Sequence, residues 1–163
     1  MPHLTPDDTH LSLDTVSSDV FERARALGPA SDPLYPVSDV YTAVQGEGCM
    51  TGTPVVLLRL QGCAVGCHFC DTKFTWQLDE GNRRERPDDA LGENPLFCPM
   101  TPRQIAGYIK ARHPGPKWVL LTGGEPAQQQ LGPLVRALRV ANYRIMLETS
   151  GTADRADPGE NRS

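Results

Sequence analysis

Residues 55–62, "VVLLRLQG", form an almost unbroken apolar run that is β-branched at its start. A run of this kind reads as a strand buried on both faces, and such strands occur where helices cover both sides of a parallel sheet. "KWVLLT" (117–122) reads as a second buried strand and "YRIMLET" (143–149) as a further one. Between them lie two helical patterns. In "TPRQIAGYIKARH" (101–113), Thr101 suits the N-cap, Pro102 suits the first helical position, and Ile105, Tyr108, Ile109 and Arg112 define the inner face. In "GPLVRALRVAN" (132–142), Leu134, Val135 and Leu138 point inward. "SDVYTAVQ" (38–45) alternates weakly and is expected to be an earlier strand, and the charged, turn-rich stretch 77–100 an exposed loop. The order predicts an α/β fold of right-handed βαβ units on a parallel sheet.

A chain of 163 residues suits one domain. The expected division is an N-terminal extension over 1–35, mostly disordered with one short helix at 17–28, a core domain over 36–152, and a disordered tail over 153–163. In that short helix Ser18 or Asp19 would cap the start and Gly28 the end. A formal net charge of -4 argues against bulk nucleic-acid binding, which needs a basic footprint. No apolar run approaches a membrane span of about 20 residues, and the start "MPHLTPDDTHLSLD" has no basic or apolar leader, so a cytoplasmic location is expected.

Three of the five cysteines, Cys63, Cys67 and Cys70, fall in "LQGCAVGCHFC", directly after the first buried strand. They sit too close together for a disulfide framework, and in a chain with no export signal such a cluster points to metal or redox chemistry. Structural zinc is closed by four ligands, commonly as two separated pairs. Here there is one C-x-x-C pair, and Cys49, Cys98 or His68 would have to supply the fourth ligand. A cubane iron–sulfur cluster normally takes four thiolates, so three would leave one iron open to the amino and carboxylate groups of a small molecule. That arrangement suits one-electron chemistry on S-adenosylmethionine.

C-x-x-x-C-x-x-C after a buried strand resembles the radical S-adenosylmethionine superfamily. Within it, "QGEG" at 45–48, "RLQGC" at 59–63, "CDTKFTW" at 70–76, "TGGEP" at 122–126 and "ETSGT" at 148–152 together resemble the 7-carboxy-7-deazaguanine synthase family. The resemblance implies a partial, incomplete TIM-like barrel of parallel strands with crossover helices. It implies a lyase that converts 6-carboxy-5,6,7,8-tetrahydropterin to 7-carboxy-7-deazaguanine with loss of ammonia, in queuosine and 7-deazapurine biosynthesis. The implied cofactors are a [4Fe-4S] cluster, S-adenosylmethionine and Mg²⁺. The implied partners are a flavodoxin- or ferredoxin-like electron donor and a second copy of the chain.

Carried over residue by residue, Cys63, Cys67 and Cys70 would hold the cluster and Thr72 the Mg²⁺. Phe69, Cys70, Asp71, Gly123, Gly124, Glu125, Glu148 and Ser150 would meet S-adenosylmethionine, Glu125 through its ammonium and Glu148 and Ser150 near its ribose. Val44, Gln45, Gly46, Glu47, Arg59 and Thr122 would meet the substrate. An amide and a carboxylate match the donors and acceptors of a pterin, and Arg59 matches its carboxylate with two parallel hydrogen bonds. The family continues beyond its "ETSGT" strand with further strands and a Ser-Pro-Lys stretch that are lacking here. The expectation is therefore a C-terminally truncated chain with an open edge strand, the alternatives being completion by a partner subunit or a short working variant. Two other functions remain open: a glycyl-radical-enzyme activase, which shares the cysteine spacing, and a non-catalytic zinc or iron–sulfur module.

Overall fold

A computed structural model describes residues 32–152; the expected helix at 17–28 and the expected tail at 153–163 lie outside the described residues. Five strands form one sheet: β1 (Tyr35–Val44), β2 (Pro54–Leu60), β3 (Cys98–Met100), β4 (Trp118–Gly123) and β5 (Arg144–Leu147). Their order across the sheet is β3-β1-β2-β4-β5. Two helices, α1 (Pro102–Arg112) and α2 (Leu131–Val140), join β3 to β4 and β4 to β5.

The sheet is mixed, which corrects the expectation of an all-parallel one. β2, β4 and β5 run parallel, whereas β1 pairs antiparallel with β2, from Val37 opposite Leu60 to Val44 opposite Pro54. The reason lies in the connections. α1 and α2 supply crossovers long enough to return the chain parallel, but residues 45–53 are too few for one, so the chain folds back as a hairpin. β3 adds antiparallel to the start of β1, with Val37 opposite Cys98.

Stretch 77–100 is therefore not simply an exposed loop. Ala90, Phe97, Cys98 and Met100 are buried, and Gly92 N donates to Ser38 O at 3.1 Å. The apolar end of the segment, "LFCPM", is covered by the core and brings a strand with it.

Register decides which side chains face which layer. Val56, Leu58 and Leu60 of β2 and Val119 and Leu121 of β4 meet Ile105 and Ile109 of α1 and Leu134 and Leu138 of α2 in the core. The alternate residues face the other way. Asp39, Arg59 and Thr122 form one row across β1, β2 and β4, and Tyr41, Leu57, Leu120 and Met146 form the next. Tyr108 is only partly buried and Arg112 is exposed, reaching Asp88 at 3.2 Å instead of facing the core. α1 starts as its sequence implies: Thr101 Oγ1 accepts from Gln104 N at 3.3 Å while Gln104 Oε1 accepts from Thr101 N at 2.8 Å, a reciprocal cap. α2 ends where Asn142 takes a φ of 66° and Tyr143 N returns to Leu138 O at 3.0 Å. No helix among the described residues is long and apolar enough to cross a membrane.

Candidate functional site

The carboxyl ends of β2, β4 and β5 open onto one cavity of about 1070 Å³. Ligands in open α/β sheets bind at such strand ends, and this volume is at the upper end of the range for small-molecule sites. Its walls are the loop after β2, the turn after β4, the segment after β5, and the hairpin connection between β1 and β2.

The turn after β4 is built backbone against backbone. Gly124 N donates to Leu60 O at 2.8 Å and Glu125 N to Gly62 O at 3.0 Å. Gly123 has a φ of 120°, and a Cβ there would run into the Leu60 backbone; one on Gly124 would run into the Gly62 carbonyl. The glycine pair of "TGGEP" is thus required by contact with the exit of β2, before any ligand is considered.

Glu125 is 2% exposed and accepts four hydrogen bonds. Oε1 accepts from Ala127 N at 2.9 Å and from Thr149 Oγ1 at 2.6 Å. Oε2 accepts from Ser150 N at 2.8 Å and from Ser150 Oγ at 2.5 Å. Burial alone would raise its pKa, but the bonds from Ser150, Thr149 and Ala127 outweigh it and hold the carboxyl below its ordinary value. In this structure Glu125 ties the β4 turn to the β5 segment. Ser150, expected near a ribose, is engaged by that same carboxylate.

The hairpin connection reaches the cavity from the other side. Gln45 Nε2 donates to Glu148 Oε1 at 3.1 Å, and Gln45 Oε1 accepts from Glu47 N at 3.2 Å. β2 and β4 lie between β1 and β5 in the sheet, so this bond joins two segments that are not sheet neighbours. Gln45 and Glu47 line the cavity, as do Cys49 and Met50, which the sequence reading left without a role in the favoured site. Val44 and Gly46 do not line it, and Val44 is 65% exposed.

The loop over 62–76 carries the thiols. Cys63, Cys67 and Cys70 all line the cavity, together with Phe69, Asp71 and Trp76. All three cysteines are half-buried and free. Among the described residues no three His, Cys, Asp or Glu side chains already converge on a metal-sized point. Cys70 Sγ lies 3.6 Å from Thr72 Oγ1, and this hydrogen bond, against a smaller opposing effect of burial, lowers the Cys70 pKa toward the thiolate that metals require. Thr72 faces that sulfur and does not line the cavity. Phe69 is 77% exposed at the rim, its ring edge-on to His68 at 5.0 Å.

Thr122, Gly123, Gly124, Glu125 and Glu148 line the cavity. Arg59 does not; it shares the open face with Thr122, its register partner on β4, and its Nη2 donates to Tyr41 Oη at 3.5 Å. Its register partner on β1 is Asp39, whose pKa is raised by burial, an effect that the charge of Arg59 only partly offsets. Cys98, once a candidate fourth ligand, is buried in β3, where burial pushes its thiol pKa up. Gln61, the end of "RLQ", carries a structural role that the sequence reading missed. The signal was its position between a buried strand and the first thiol.

No protein-family model matches the chain. It is 36% identical over 120 residues to the 7-carboxy-7-deazaguanine synthase of Buchnera aphidicola subsp. Schizaphis graminum, a match covering 72% of this chain and 55% of that protein. It is 38% identical over 126 residues to the enzyme of the same name from Escherichia coli K12, covering 72% and 54%. A third relative of that name, from Hyperthermus butylicus, is 36% identical over 130 residues, covering 78% and 48%. Its fold resembles a crystal structure of QueE from Escherichia coli with a TM-score of 0.70 and 30% identity, over 84% of this chain and 59% of that one. The resemblance carried by the motifs is thus matched in sequence and in fold, and the chain spans about half the length of the curated relatives it matches.

Proposed function

We propose, on the premise of this likeness to the 7-carboxy-7-deazaguanine synthases, that the chain is a radical S-adenosylmethionine lyase acting on 6-carboxy-5,6,7,8-tetrahydropterin to give 7-carboxy-7-deazaguanine and ammonia. Its sheet is then the first part of a partial barrel whose open face is the inside. The observation that carries the reading is that three thiols, a glycine turn and the β5 segment, which lie far apart in the chain, line one cavity.

The donor set fits an iron–sulfur cluster. Three thiols on one half-buried loop are soft ligands; of the candidate fourth ligands Cys98 is buried in β3, while Cys49 lines the same cavity, so iron and sulfide analysis separates the cluster from a four-thiol zinc site. Cys63, Cys67 and Cys70 would hold the cluster, which when bound supplies one electron to the sulfonium of S-adenosylmethionine.

The chain's own residues orient the two small molecules. Phe69 offers a ring face to the adenine at the rim. Gly123 and Gly124 keep side chains away from the methionine end, with Glu125 behind them, and Asp71, Glu148 and Ser150 border the nucleoside. Glu148 is held toward the cavity by the Gln45 amide, which leaves Glu47 to read the pterin ring. Thr122 contacts the substrate, and Arg59, one strand away on the same face, pairs with its carboxylate once turned from Tyr41. Thr72 would offer a hydroxyl to Mg²⁺ once turned from the Cys70 sulfur. A flavodoxin- or ferredoxin-like donor and a second copy of the chain complete the proposal.

The test is anaerobic iron and sulfide analysis, electron paramagnetic resonance with and without S-adenosylmethionine, and turnover of the pterin. A reduced-cluster signal that changes on adding S-adenosylmethionine, and is lost in Cys67→Ala, is expected. Zinc in place of iron, or a signal indifferent to S-adenosylmethionine, would overturn the reading. Activation of a glycyl radical enzyme without pterin turnover would redirect it.

A further inference from the structure

We infer that Gln61 is the positioning residue of the thiol loop: its side-chain amide closes the base of the loop from within, fixing both ends while the thiol-bearing middle remains able to close around a metal centre. The inference rests on the reading that Cys63, Cys67 and Cys70 are the ligands.

The ascending chain at 61–63 and the returning chain at 74–77 are joined by four hydrogen bonds. Two are main-chain: Gly62 N to Thr75 O at 2.7 Å and Cys63 N to Trp76 O at 3.0 Å. The other two both come from Gln61, whose Nε2 donates to Phe74 O at 2.7 Å and to Gln77 O at 3.0 Å. Half of the clasp is therefore one side chain. That side chain is itself rigidly mounted. Gln61 N donates to Pro36 O at 2.7 Å on β1, and Gln61 O accepts from Gln129 Nε2 at 3.1 Å on the turn after β4. The residue is 0% exposed.

Two facing carbonyls fix the amide's orientation, because a flip would set Oε1 against both of them. Oε1 then has no hydrogen-bond partner among the described residues. A buried acceptor left unpaired costs stability, and the two bonds to Phe74 O and Gln77 O are set against that cost. What only an amide at this place supplies is two donors on one nitrogen, directed at both sides of the loop's return. Above the clasp, Ala64 N donates to Gln128 Oε1 at 3.0 Å, and Cys70 N to Cys67 O at 3.1 Å is the main-chain bond among the three ligand positions.

Two variants of the full chain test this. Gln61→Met keeps the bulk and removes both donors. Gln61→Glu keeps the shape but, when ionised, turns an acceptor toward two carbonyls; when protonated it restores one donor. In metal-free protein, hydrogen exchange at the Gly62 and Cys63 amides is expected to quicken about tenfold or more in Gln61→Met at every pH. Exchange at Leu120 and Leu121 is expected to hold steady. In Gln61→Glu, which can restore at most one of the two donors, a smaller quickening at the same two amides is expected, read against the unmodified protein at the same pH. Anaerobic iron and sulfide uptake, followed by cluster absorbance, should slow in the same order. Unchanged exchange in both variants overturns the inference whatever the metal does, as does quickened exchange with unaltered iron uptake. If the unmodified chain takes up no iron, the cluster reading fails, and the exchange arm alone decides whether Gln61 clamps the loop.

Discussion

The two walls of the cavity are finished to different degrees. The wall made by the β4 turn and the β5 segment is saturated: Glu125 has its four donors, and the glycine pair sits directly on the backbone of β2. The wall made by the thiol loop is held at its base by Gln61 and at Ala64, whose N–H donates to Gln128 Oε1 at 3.0 Å, while its tip carries Phe69 in solvent. A wall whose partners are all supplied by the chain is complete without ligand. On the proposed function, the other wall keeps its thiols free for a metal centre. The contrast explains why the structure shows the first as a network and the second as a loop.

The largest effect that would break this contrast is at the glycine pair. Gly124→Ala drives a methyl group into the Gly62 carbonyl, and should cost about 3 kcal/mol or force the two strand exits apart. Urea unfolding measures it, and a loss near zero would mean the saturated wall is as pliant as the other.

Next comes Glu125→Gln, which weakens the charge-assisted bonds from Thr149 and Ser150, at about 2 kcal/mol. The sign with pH follows from the lowered pKa. The stabilisation by Glu125 is fully present above the ordinary glutamate value of about 4.3 and is lost as pH falls through the lower folded-state value. Acid unfolding monitored by circular dichroism should show this loss in the unmodified chain and not in Glu125→Gln.

The smallest effect is expected at the loop tip. Phe69→Ala should change stability by no more than about 0.5 kcal/mol, because the ring is already exposed. If the proposed function holds, the same variant weakens S-adenosylmethionine binding, read by titration of the reconstituted protein. A large stability loss there would sharpen the comparison in the opposite sense, by showing that the tip is built in as firmly as its base.

Much of the fold was legible because its signals are local. The apolar run of β2 and the Thr101–Gln104 cap of α1 require no knowledge of distant residues. β3 escaped notice because three residues containing a proline have no period, and their partners are Tyr35 to Val37. The antiparallel start was readable in principle from the shortness of 45–53. In the site, the thiols and the glycine pair were legible, but the use of Glu125 was not: its hydroxyl partners lie on another strand end, and no spacing rule links them. Gln61 was hidden for a similar reason, since the groups it holds are main-chain carbonyls, which every residue has.

Because Gly123 and Gly124 fasten the exits of β4 and β2 together with no side chain between them, no substitution can widen or narrow that gap by degrees. Room for variation lies instead in the hairpin at Gly46, where a Cβ would meet open space; Gly48 and Gly52, at φ of 67° and 89°, hold a backbone conformation that favours glycine. Drift in what such a scaffold accepts is thereby channelled away from the strand exits and toward the hairpin beside the cavity.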